Sequence, residues 1–134
     1  VVLERAEGGV FDFASLKGRV VLVSFFATWC FPCLLEVPEF QKLERAYRSS
    51  GFSVVAIGMD LEGRKVLQPF VESYRPGYTV LVASQELRSG RTPFGEIREI
   101  PTTLLLDRQG KVAAAVSGPI QPAALESVVS QLLK

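Results

Sequence analysis

The sequence predicts an α/β domain built on a central mixed β-sheet with helices on both faces. Two observations carry this. Apolar runs of strand length alternate with stretches of three- and four-residue apolar periodicity, and the last two strands are joined by a turn instead of a helix. The composition agrees: 134 residues, 48% hydrophobic and 22% charged, suit one soluble domain spanning 1–134 with a real core.

Composition also excludes whole classes of chemistry. The net charge of +1 leaves no electrostatic footprint for nucleic acid or an anionic membrane. The chain has no histidine, which removes Ser-His-Asp and Cys-His catalysis and any His-ligated metal. Two cysteines cannot make a multi-disulfide scaffold. No apolar run approaches the roughly 20 residues of a spanning helix. Because the chain starts at Val1 and not methionine, an N-terminal segment is expected to be missing. A signal peptide or membrane anchor would lie there.

Residues 1–10 read as a polar lead-in, and Phe11-Asp12-Phe13 as a short edge strand. Val20–Phe26 is β-branched and aromatic with one polar residue, Ser24, the pattern of a strand covered on both faces. A helix should begin around Cys30 to Pro32, since proline is favoured in a first turn. Its apolar stripe is Leu34, Val37, Phe40, Leu43 and Tyr47, with a kink expected at Pro38 and a stop at Ser49-Ser50-Gly51. Phe52–Ile57 is the next strand. A second helix should bury Val66, Leu67, Phe70, Val71 and Tyr74, with Pro69 interrupting it. Tyr78 to Ala83 reads as a strand, and a helical turn is expected at Pro93 to Ile97. Thr102–Leu106, the turn Asp107-Arg108-Gln109-Gly110 and Lys111–Val116 form a hairpin. A last helix from Pro122 turns Leu125, Val128, Val129 and Leu132 inward.

The chemistry concentrates at Trp29-Cys30-Phe31-Pro32-Cys33, where a buried strand gives way to a helix. Two intervening residues bring the sulfurs within disulfide reach in a first helical turn. Cys30, at the helix start, meets unpaired N–H groups and the positive end of the macrodipole, which favour a thiolate. It is therefore the expected nucleophile, and Cys33 the resolving thiol. Phe31 and Pro32 would tune the potential. Three blander readings stand beside this one. A structural disulfide closing so short a loop would constrain the unfolded chain little. Zinc would find only two thiolates and carboxylates. The third is two ordinary buried cysteines. The strand-to-helix position favours redox chemistry, with no cofactor beyond the cysteine pair and no metal.

The string from Leu16 through Ala27-Thr28-Trp29-Cys30-Phe31-Pro32-Cys33 to Pro38 resembles the thioredoxin superfamily, and within it the TlpA/ResA-like branch. Ile100-Pro101-Thr102-Thr103 and Leu106 to Lys111 extend the resemblance over most of the chain. It implies a thioredoxin fold with an extra αβ insertion, near residues 60–85, ahead of a cis-proline at Pro101. It further implies a thiol-disulfide oxidoreductase, periplasmic or otherwise extracytoplasmic and often membrane-tethered, in a branch where some members serve cytochrome c maturation. Partners would be protein thiols and disulfides and an upstream electron donor. Ile100 would present backbone groups to a substrate's extended chain, and Trp29 would shield the disulfide. Glu36 matches the branch's glutamate one turn past the second cysteine, placed to exchange a proton with Cys33; on a bare helix it would be a solvated side chain. Ser24 departs from the pattern, standing where the superfamily carries a buried acid or an amide, and a hydroxyl is no general base at neutral pH.

Two other functions compete. A peroxidase of the peroxiredoxin type would need a proline- and threonine-bearing loop before its cysteine; Thr28 is present, the proline is not. A non-enzymatic module could hold a partner or a metal through the Cys pair.

Overall fold

A computed structural model describes residues 1–134. Its centre is one seven-stranded sheet in the order β2-β1-β5-β4-β3-β6-β7. The strands are β1 (Val2–Arg5), β2 (Val10–Asp12), β3 (Val20–Phe26), β4 (Phe52–Gly58), β5 (Thr79–Val82), β6 (Thr102–Leu106) and β7 (Val112–Ser117). β3, β4 and β5 pair in parallel, while the outer pairings, β3–β6, β6–β7, β5–β1 and β1–β2, are all antiparallel. The expected mixed sheet is what forms.

Every residue of β3 is buried, because both its faces are covered. Val20, Leu22 and Phe26 face α1 (Phe31–Tyr47), α2 (Arg64–Tyr74) and α4 (Pro122–Leu133). Val21, Val23 and Phe25 face the opposite way, toward α3 (Gln85–Arg88), a 3-10 turn at Phe13–Leu16, and Phe94 and Ile97. Helices thus lie on both faces but unequally: three long ones on one, a single turn of α-helix on the other. No helix is long and apolar enough to cross a membrane.

Several elements depart from the expectation. The lead-in contains β1, which pairs with both β2 and β5 through main-chain bonds, and only Leu3 of its four residues is fully buried. A strand with one buried side chain leaves little periodicity to read. Pro69 does not interrupt α2. It lies on the exposed side, where the carbonyl it leaves unpaired can meet water. Tyr74 is not buried; it is 45% exposed and stacks on Phe70, which covers Phe26. Residues 93–97 are a turn without helix. The helical turn is α3 instead, capped by the Ser84 hydroxyl, which accepts from the Leu87 N–H at 3.1 Å.

Candidate active site

β3 delivers the chain to the site and α1 receives it. Cys30 is the N-cap of α1, with φ −90° and ψ 102°, and its sulfur accepts from the Cys33 N–H at 3.3 Å. The two cysteines are joined in a disulfide, with Cα atoms 5.3 Å apart, and both are buried. Pro32 stands in the first turn, where a missing N–H costs nothing. The rim is apolar: Trp29 is 73% exposed and Phe31 69%, with Pro32 and Leu35 also at the surface. No charge occurs from Val20 through Leu35.

The Ile100–Pro101 peptide is cis. Phe25 pairs with Thr102, so Pro101 enters the sheet beside the end of β3, level with the turn into the cysteines. Ile100 is half-buried and packs against both apolar clusters, one of which contains Cys30 and Cys33.

Glu36 lies one turn past Cys33 on the buried side of α1, 8% exposed, and neither carboxyl oxygen has a hydrogen-bond partner. Burial pushes its pKa from 4.5 up to about 7, with the Ile120 backbone amide pulling weakly the other way. At 8% exposure it is not the solvated side chain of a bare helix.

Ser24 is buried on the face of β3 that carries α1. With Cys33, Val37, Phe40, Phe70 and Tyr78 it lines a cavity of about 10 Å³, at the lower limit of what one water needs. Burial, then the nearby Glu36 and Glu44 carboxyls, raises the Tyr78 phenol well above its ordinary value. Spacing did not single out Tyr78, which comes from just before β5.

The sequence also gave no role to Asp60. Its carboxylate, 2% exposed, accepts the Thr28 N–H at 3.1 and 3.2 Å and the Thr28 hydroxyl at 2.7 Å. The available signal was a lone acid just past an apolar strand. Its partner depends on the β3–β4 register, in which Phe26 lies opposite Gly58 and so brings Thr28 level with Asp60. The chain holds no group of three or more His, Cys, Asp or Glu side chains that could hold a metal ion.

The chain is 30% identical over 117 residues to the thiol-disulfide oxidoreductase ResA of Bacillus subtilis, covering 87% of this chain and 63% of that protein. It is 28% identical over 131 residues to ResA of Bacillus cereus, covering 98% and 73%. The chain thus spans about two thirds of the length of these relatives. A crystal structure of a thiol:disulfide interchange protein, a thioredoxin family protein from Chlorobium tepidum, superposes with a TM-score of 0.81 at 29% identity, covering 100% and 93% of the two chains. The fold is therefore the thioredoxin fold, and the resemblance to the ResA branch is borne out. A sequence model described as the AhpC/TSA family matches residues 1–123, and the chain belongs to that family.

Proposed function

We propose that this protein is a thiol-disulfide oxidoreductase that reduces disulfides of partner proteins in an extracytoplasmic compartment. The observation that carries the disulfide exchange is the disulfide closing the first turn of α1, with Cys30 at the N-cap and its sulfur on a backbone N–H. In the reduced protein the Cys30 thiolate attacks one sulfur of a partner disulfide. A Cys30–partner bond forms and the partner's other sulfur leaves as a thiolate. Cys33 then attacks the Cys30 sulfur, closing the Cys30–Cys33 disulfide and freeing the partner's second sulfur. Two electrons pass to the partner. Glu36, in its ionised form, takes the Cys33 proton. Trp29, Phe31 and Pro32 form the docking rim, and Ile100 beside Pro101 offers main-chain groups to the partner. A dithiol donor protein regenerates the pair.

The reductive direction rests on similarity to the ResA proteins, and cytochrome c maturation is one setting that supplies suitable Cys-pair segments. Residues 1–134 form one thioredoxin-like domain, with α2 and β5 as its insertion.

Titration of the pair against glutathione and dithiothreitol tests this. A reversible couple well below the glutathione poise supports reduction, a strongly oxidising one reverses the direction, and no couple ends the reading. Cys33→Ser should trap a mixed disulfide, and Cys30→Ser should abolish exchange. A binding module would keep its activity in Cys30→Ser.

Membership of the AhpC/TSA family makes peroxidase activity the second reading. Against it, the Thr28 hydroxyl is engaged by Asp60. Consumption of peroxide by the protein alone would establish it.

A further inference from the structure

We propose that Asp60 is a positioning residue for Cys30, acting through Thr28. The inference rests on Cys30 being the attacking thiol. Residues 27–30 form a tight turn closed by the Cys30 N–H donating to the Ala27 carbonyl at 3.1 Å. Thr28 is the first central residue of that turn, and Asp60 holds it by both its N–H and its hydroxyl. The residue pinned is thus inside the turn that ends at the nucleophile.

The arrangement is costly for a mere loop contact. A carboxylate taken almost wholly out of water loses hydration that only a cation or good donors can replace. Asp60 takes part in neither of the chain's two ion pairs, Arg48–Glu44 and Arg98–Glu96. Its side-chain donors all come from Thr28. Charge-assisted hydrogen bonds of this kind are short and directional, so they fix geometry as well as offset desolvation.

The acid is itself held from behind. Arg88 of α3 donates to the main-chain carbonyls of Met59 and Asp60, and the Met59 N–H donates to the Phe26 carbonyl at 2.7 Å. A line of main-chain and side-chain bonds therefore runs from α3 through the end of β4 to the turn before Cys30. Without the tie, Thr28 and Trp29 are free to re-aim Cys30 away from the N–H groups of α1 that stabilise its thiolate.

Asp60→Asn and Asp60→Ala remove the same charge, so any difference between them isolates the hydrogen bonds. The asparagine can still accept the Thr28 N–H and donate to its hydroxyl. The measurements are the disulfide-exchange rate per folded molecule and the pH dependence of Cys30 alkylation in the reduced full chain. Asp60→Ala should exchange roughly tenfold more slowly than Asp60→Asn, a fraction of the roughly hundredfold that a full 1 Å misplacement of a reacting group can cost. Its Cys30 titration should also lie above that of Asp60→Asn. Coincident rates and titrations in the two variants would overturn the proposal. Should Asp60→Ala not fold, Thr28→Val against Thr28→Ser isolates the hydroxyl's share of the tie, since both keep the N–H and only serine keeps the hydroxyl. If the wild-type chain itself shows no reversible dithiol couple, the reading of the site fails and this proposal falls with it; a reversible wild-type couple with coincident variants overturns this proposal alone.

Discussion

Ser24 and Thr103 stand directly opposite each other across β3 and β6, on the sheet face that carries α1. Both are buried, and the Thr103 hydroxyl has no hydrogen-bond partner. An unsatisfied buried hydroxyl keeps its desolvation cost with nothing to offset it. Thr103→Val, which keeps the shape and removes that hydroxyl, should stabilise the fold by about 1 kcal/mol. Chemical denaturation checks this; a loss of stability would mean the hydroxyl is satisfied by a water in solution.

Glu36 makes stability depend on pH with a known sign. Its folded pKa is about 7 against 4.5 for the ordinary group. Between those values the folded protein holds a proton that the unfolded chain has lost. Stability therefore falls as pH rises through that window, and the cost is complete above about pH 7. At roughly 1.4 kcal/mol per unit, the cost is on the order of 3 kcal/mol. Glu36→Gln should melt higher than wild type at pH 8 and converge with it near pH 4. The same variant should slow exchange and remove an inflection near neutrality from its pH profile. Melting curves that stay parallel at all pH values would show the carboxyl to be solvated.

The exposed ring of Phe31 carries little of the fold, and the proposed docking rim gives it a part in partner binding. Phe31→Glu places a charge in the uncharged rim, where a docking partner would have to desolvate it. KM for a protein substrate should rise several-fold while reduction of a small disulfide reagent and the melting temperature change little. Equal losses on both substrates would point to the potential of the pair instead of docking.

Much of this was legible beforehand because it rests on local rules. The unbroken apolar run of β3, the proline-led start of α1, the hairpin at Asp107–Gly110 and the Cys-x-x-Cys pair need only neighbours in sequence to be read. β1 escaped because it is held by main-chain bonds to the short β2 and to β5, far along the chain, and its side chains show no clear alternation. α3 is too short for periodicity to register. Tyr74 fits the inward stripe by spacing, yet Phe70 already fills the contact with Phe26.

The sequence by itself determined the mixed α/β layering, the redox pair, and the residue types around it, since each follows from hydrophobic pattern, helix-start chemistry or motif. Tertiary structure decided what those residues experience. Glu36 becomes a group that titrates near neutrality only because the packing of α1 removes its water. Thr28 acquires a buried carboxylate only because the parallel register of β3 and β4 sets the ends of both strands level. Burial and register arise from contacts between segments distant in the chain, and no local spacing encodes them.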